Sequence, residues 1–284
     1  MPLNTHVYAE EWAEKLQERL SEPTKFKEVC NVVYTDTRVL HNPYLTEATV
    51  QTGQRGTQYT MQGITETDES VTINTYKILP QFIDRADLAQ STFLQQMDLA
   101  DKQGILLNEA IESAFYADFA NLTTFDASEI GGSGSISVSA TNIDDIIRAI
   151  KRKIRVAGGQ TLLERNGAFI VWRPTDLEIL EGFMQANGFA QADRSLTSDP
   201  VGASKGVDFM GVTHYSSNLL TAQHVIAGVK KQYMVGIVKS TYGQVMVNEK
   251  DPNNTSGISV VSRVDFQGKA WNNTKPVLYN VVVV

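Results

Sequence analysis

Segments with regularly spaced apolar residues alternate along this chain with segments where apolar residues are sparse. Near the N-terminus, Tyr8, Trp12, Leu16 and Leu20 recur every four positions among Glu10, Glu11, Glu14, Lys15, Glu18 and Arg19. That spacing predicts a short helix with one apolar stripe, stopped at Pro23. Val29, Val32, Val33, Tyr34, Val39 and Leu40 sit among Thr and Asn and predict extended chain over 29–44. Residues 46–75 contain Gly53, Gly56 and Gly63 but only scattered apolar side chains, among them Val50, Tyr59, Met61 and Ile64. Such a stretch cannot bury a core of its own. Its β-favouring composition predicts a long hairpin with its tip near Gly53 to Gly56. Two strands alone are marginal in water, so the hairpin must lie on something else.

Leu107, Ile111, Ala114, Phe115, Phe119 and Leu122 then fall on one face and predict the longest helix of the chain over 97–122. The run Gly131-Gly132-Ser133-Gly134-Ser135 predicts a flexible joint, with strand-like 136–138 after it and a domain boundary close by. The next helix has Thr141 or Asn142 as cap, Asp144 and Asp145 in its first turn, and the stripe Ile143, Ile146, Ile147, Ile150 and Ile154. Arg148, Lys151, Arg152, Lys153 and Arg155 load its later half, and Gly158-Gly159 ends it. A buried strand at 169–172, a helix at 174–187 and a long loop at 188–206 follow. Strands are predicted at 225–229, 233–238, 242–247, 258–266 and 277–284, with no internal repeat. The alternation is α/β or α+β in style.

The 284 residues, 42% apolar and 20% charged, suffice for one large core or two modest ones. A net charge of −7 has the wrong sign for a protein that binds by neutralising phosphates. It argues against a repressor and not against a container, which encloses DNA without gripping each phosphate. Apolar runs such as 168–172 and 281–284 fall far short of the roughly 20 residues that span a bilayer. Glu10 and Glu11 stand where a signal peptide would be basic, so the expectation is a protein that stays in the cytoplasm that makes it.

Candidate chemistry is sparse. Cys30 is the only cysteine, which excludes an intrachain disulfide and paired-cysteine zinc sites and leaves a packed thiol as the expectation. His6, His41, His214 and His224 are never at metal-ligand spacing and are expected to be surface or structurally satisfied. Neither Gly131 to Ser135 nor Gly202-Ala203-Ser204-Lys205-Gly206 has the phosphate-loop pattern, and no GxSxG elbow occurs. The basic run from Arg148 to Arg155 reads as a solvated helix face before a DNA-facing one. No catalytic residue, metal or cofactor is expected. What stands out is an apolar-striped helix, an extended strand and an unsupported hairpin, elements that need partner surface, most simply another copy.

This order of elements resembles the Hong Kong 97-type fold of tailed-phage major capsid proteins over almost the whole chain. The resemblance rests on the arm, the loop at 46–75, the strand and connection Val71-Thr72-Ile73-Asn74-Thr75-Tyr76-Lys77-Ile78-Leu79-Pro80 to Asp84-Arg85-Ala86-Asp87-Leu88, and the long helix. Phe209-Met210-Gly211-Val212-Thr213 resembles the family's recurrent turn into a strand. The implied fold is α+β: an N-terminal arm (1–45), an extended-loop hairpin (46–76), a peripheral domain with a long spine helix (77–140 and 230–275), and an axial domain of central sheet with flanking helices (141–229 and 276–284). The implied function is a head protein assembling into hexamers and pentamers of an icosahedral shell around double-stranded DNA, built in the host cytoplasm and resident in the virion. Trp12, Leu16, Leu20, Gln54, Arg55, Tyr59, Met61, Arg194 and Leu196 are the assembly residues it implies. A portal and cement or decoration proteins are implied partners. Because the arm starts at Met1 with no long region before it, a separate scaffolding protein is implied as well. An encapsulin-type compartment shell and a phage tail-tube protein are the competing structural readings, and an enzyme comes last.

The loop has no lysine between Thr46 and Tyr76, so the cross-linking known in one branch of the family has no evident donor. Assembled particles boiled in detergent with reductant are therefore expected to give one band near 31.4 kDa, and a ladder of heavier species would contradict noncovalent assembly.

Overall fold

The computed structural model describes residues 24–45, 48–56, 58–84, 95–188, 206–220, 223–242, 245–248 and 257–284. The helix expected around Trp12 and the loop expected at 188–206 lie outside them, apart from the loop's ends. In chain order the elements are α1 (Phe26–Val29), β1 (Asn31–Thr35), β2 (Val39–Leu45), β3 (Glu66–Thr72), β4 (Thr75–Asp84) and α2 (Gln95–Phe119). Next come β5 (Thr123–Phe125), α3 (Ile143–Val156), α4 (Gln160–Asn166), β6 (Ala168–Trp172) and α5 (Pro174–Ala186). The remaining strands are β7 (Val207–Phe209), β8 (Val212–Ser216), β9 (His224–Val229), β10 (Tyr233–Val238), β11 (Val245–Asn248), β12 (Gly257–Ala270) and β13 (Leu278–Val282).

A six-stranded mixed sheet runs β5-β13-β9-β6-β8-β7. Its central strand β6, Ala-Phe-Ile-Val-Trp, is buried at every position because both faces are covered, which is why it reads as a continuous apolar run. Ala168, Ile170 and Trp172 point into a core shared with the isoleucine stripe of α3 and with Leu180 and Met184 of α5. Phe169 and Val171, on the other face, join a second core with α2. The α3 stripe is legible because Ile143, Ile146, Ile147, Ile150 and Ile154 are all wholly buried, each worth about 1.5–3 kcal/mol.

A five-stranded sheet is organised by β12, which pairs with β4 along one edge and with β10 and then β11 along the other. β1 closes this sheet by pairing in parallel with β10. Helix α2 lies across it. Its 25 residues span about 37 Å, and its buried face carries Leu107, Ile111, Phe115, Tyr116 and Phe119. Phe115 and Phe119 meet Tyr233 with ring centroids at 5.1 and 5.2 Å, and Phe119 also meets Phe169 of the six-stranded sheet at 6.3 Å. The two sheets thus share one aromatic seam. The hydroxyl end of Tyr233 lies against Gly268, where any Cβ would fall 2.2 Å from its hydroxyl oxygen.

Several expectations change. Residues 26–35, expected as arm, belong to the body: Phe26, Val29 and Cys30 are buried in the seam, and the Lys231 ammonium holds the carbonyls of Lys27 and Cys30 at 2.7 and 2.9 Å. One turn of helix sufficed to place three apolar residues on one side, too short a period to read. The first hairpin strand is β2, N-terminal to the expected loop, and it pairs with β3 from Val39↔Thr72 to Leu45↔Glu66. Residues 123–125 and Ile136, expected with the long helix, join the six-stranded sheet through β13 and Val283. The changeover between sheets therefore falls before the glycine run. That run is tied down by Ala127 N–H to the Gly134 carbonyl (2.9 Å) and Gly132 N–H to the Ala127 carbonyl (2.8 Å). Asn142 holds the cap position of α3 without capping it; its side chain instead accepts from the Ser139 N–H at 2.9 Å and donates to the Ser137 carbonyl at 2.8 Å.

Replacing Ile147 with Asp puts an unpaired charge into the α3 core, where desolvation outweighs any local gain. The variant is expected to lose more than about 3 kcal/mol of stability and its cooperative unfolding transition, read by circular dichroism against denaturant.

Candidate assembly interface

The hairpin is the most exposed feature of the described chain. Beyond β2 and β3 its limbs continue without strand pairing, linked by side-chain amides: the Thr49 N–H donates to Gln62 Oε1 at 2.8 Å, and Gln62 Nε2 donates back to the Thr49 carbonyl. Gln51 Nε2 reaches the Thr60 carbonyl at 3.0 Å. The turn falls at Arg55 and Gly56, where a φ of +87° favours glycine, close to the expected tip. Gln54 and Arg55 are exposed at this tip, and Tyr59 and Met61 lie on the returning limb, 76% and 82% exposed. Val50 and Ile64 are exposed as well. Large apolar side chains are thus held out on a thin ribbon. Trp12, Leu16, Leu20, Arg194 and Leu196 lie outside the described residues.

A second apolar row went unread in the sequence. Tyr76, Ile78 and Phe82 alternate along β4 on the sheet face turned away from α2, all about half exposed. Arg263, paired to Asp265 at 2.8 and 2.5 Å, stacks over Tyr76. Period-two spacing from 76 to 82 was the available signal, interrupted by Pro80, which an edge strand tolerates.

The base of the hairpin is fastened by residues that sequence reasoning did not single out. Leu40 and Ile73 pack onto Gly236 of β10, and Glu69 reaches Lys269 Nζ at 3.1 Å and the Asn272 N–H at 3.0 Å. These contacts join positions far apart in the chain, 203 residues for Glu69 and Asn272, which no local pattern announces.

The polar residues weighed as chemistry are tied within the subunit. His214 is wholly buried: its Nδ1 accepts from the Trp172 indole N–H at 2.9 Å and its Nε2 donates to the Phe209 carbonyl at 3.2 Å, which defines the neutral tautomer. Burial pulls its pKa down to about 4. His224 meets Asn280 at 2.9 Å, and His41 meets Asp68 across the hairpin at 2.5 Å. Burial pushes the Cys30 thiol well up, as expected of a packed bystander. Of the basic run, Arg148 pairs with Asp144 and Asp145, Lys151 donates to the Met210 carbonyl, Arg152 to the Glu129 carbonyl, and Lys153 to the Glu129 carboxylate. Glu112 is buried on α2, where it accepts from the Lys25 N–H at 2.5 Å and from the Tyr116 hydroxyl. Desolvation raises its pKa against the pull of those donors. A cavity of about 280 Å³ between α2 and the five-stranded sheet is floored by Ile111, Phe115, Val235 and Phe266, with Asp118 bonded to Tyr233 at its side. Among the described residues no group of three or more His, Cys, Asp or Glu is placed to hold a metal, and no helix is long and apolar enough to cross a membrane.

No family model and no curated protein matches this sequence. Solved structures do. A chain from the capsid of an empty GTA particle shares 12% identity and a TM-score of 0.69, covering 100% of this chain and 98% of that one. A chain from the capsid of Ralstonia phage GP4 shares 9% identity and a TM-score of 0.68 over 100% and 98%. A chain from Mycobacterium phage Che8 shares 15% identity and a TM-score of 0.68 over 97% of each. The fold is therefore the α+β Hong Kong 97-like capsid fold, over nearly the whole length.

The state of His214 predicts a pH dependence with a definite sign. Its folded pKa lies below its unfolded value of 6.5, so between pH 6.5 and about 4 the unfolded chain takes up a proton that the folded chain refuses. Stability is expected to be full above pH 6.5 and to fall by at most roughly 3 kcal/mol as pH drops through that window. Denaturant titrations at pH 7, 5 and 4 should show this fall reduced in His214→Gln, and equal pH slopes would refute it.

Proposed function

We propose that this chain is a shell-forming structural protein, the major capsid protein of a tailed bacteriophage, whose copies form hexamers and pentamers around double-stranded DNA. The observation that carries this reading is the near end-to-end likeness to chains from capsids, joined to a hairpin that holds Tyr59 and Met61 in solvent. The six-stranded sheet with α3 to α5 corresponds to the axial domain of that fold, and the five-stranded sheet with α2 as spine helix to the peripheral one. The arm before residue 24 and the hairpin make the contacts between copies. DNA is enclosed and not read: the net charge is −7, and Arg148, Lys151, Arg152 and Lys153 are bonded within the subunit. A separate scaffold, a portal and cement proteins are the partners such a shell uses, with assembly in the host cytoplasm and residence in the virion.

Electron microscopy of the purified protein tests the class directly: closed icosahedral shells support the capsid reading, tubes a tail-tube protein, and small oligomers neither. Tyr59→Ala with Met61→Ala removes the hairpin's apolar side chains. If they bury against a neighbour, the loss is roughly 2–5 kcal/mol per contact, repeated over every copy, and shells should fail to form. The isolated subunit should keep its unfolding free energy within about 0.5 kcal/mol, because these side chains are exposed in it. Normal shell yield, or an unfolded subunit, would refute this division of labour.

A further inference from the structure

The hairpin is gripped at two places by contacts of different chemistry. At one, Gly236 lies inside β10, whose other residues are buried and apolar or aromatic, Tyr-Met-Val-Gly-Ile-Val. A glycine weakens a strand interior and is found there where another group comes close. Here that group is the hairpin base: a Cβ at 236 would sit 2.6 Å from Leu40 Cδ1 of β2 and 3.4 Å from Ile73 Cδ1, just past β3. Ile73 is buried, and its N–H closes the base on the Arg38 carbonyl at 2.7 Å. At the other place, Glu69 of β3 takes Lys269 Nζ on one oxygen at 3.1 Å and the Asn272 N–H on the other at 3.0 Å. Lys269 also donates to the Ser70 carbonyl at 2.8 Å.

Residues 69 and 73 are about 13 Å apart along extended chain, at roughly 3.3 Å per residue. One grip would leave the ribbon free to pivot; two grips at that separation fix its direction. The exposed limb beyond, from Val50 to Ile64, is then aimed by contacts that lie wholly inside the subunit.

We propose that Gly236 and Glu69 form a two-point latch that sets the angle at which the hairpin leaves the subunit and meets a second copy. Gly236 acts by leaving room for Leu40 and Ile73, and Glu69 by tying β3 to the end of β12 and the backbone beyond it. Both act through contacts inside the subunit and are therefore positioning residues. The consequence for assembly rests on the shell reading above; the latch itself is a property of the single subunit.

Because Cys30 is buried, cysteines introduced at Gly53 in the tip and at exposed Val156 at the end of α3 can be spin-labelled selectively. Pulsed dipolar distances are measured on unassembled subunits and shell yield on assembling ones. With the latch intact, one narrow distance distribution is expected. Gly236→Ala, which pushes Leu40 off its seat, and Glu69→Ala, which cuts the second grip, should each broaden it while the far-ultraviolet dichroism stays unchanged. If the latched pose falls to roughly a tenth of the population, apparent affinity between copies falls about tenfold and shells need correspondingly more protein. Distributions as narrow as the parent's in both variants would overturn the latch, and broadened distributions with undiminished shell yield would overturn its consequence for assembly. Should Gly236→Ala fail to fold, Glu69→Ala decides alone. Should the parent build no shells, the shell reading fails and the distance comparison still decides the latch.

Discussion

The subunit depends on one packed seam, where the C-terminal half of α2 is pressed between two sheets. Phe115 and Phe119 contact Tyr233 on one side, and Phe119 reaches Phe169 on the other. Phe26 and Val29 fill the same cluster from the one-turn α1. Aromatic side chains bury much area and prefer tilted or edge contacts, so this arrangement resists sliding in a way an aliphatic interface would not. Both sheets, the long helix and α1 thereby meet at a single centre. Each element farther out takes its position from that centre.

The hairpin is the element the seam does not reach. It is a two-stranded ribbon, marginal by itself, and it departs from the five-stranded sheet through a glycine-sized gap and a charged tie. Its Tyr59 and Met61 are exposed and add little to the stability of the isolated subunit. Body and ribbon therefore divide the energetics: burial in the body holds the fold, and exposed apolar area on the ribbon and along β4 is available to association.

Polar groups follow the same logic. His214, Glu112 and most of the α3 cations are each satisfied by a partner in the same subunit. Glu112 is the most demanding of these, a buried carboxyl group that accepts from the Lys25 N–H and the Tyr116 phenol. It fixes the register of α1 on α2. Removing a donor would leave a buried acceptor unpaired, at greater cost than the bond itself contributes.

Local periodicity made α2 and α3 readable, because each repeats its own spacing over enough residues to define a face; β6 showed as a continuous apolar run, and the hairpin tip as glycines in a β-favouring stretch. Ile143 to Ile154 needed nothing beyond the chain to declare their stripe. Composition and charge likewise shaped the expectation of an acidic protein without a phosphate-neutralising surface. Tertiary structure alone decided the rest. That Phe26 and Cys30 are core and not arm, that 123–125 belongs to the sheet of β13, and that Gly236 seats Leu40 are facts about residues distant in sequence and adjacent in space. A short segment carries too few residues to show a period, and a glycine's meaning depends on what approaches it. Such contacts form only when the whole chain packs, so no local pattern could have encoded them.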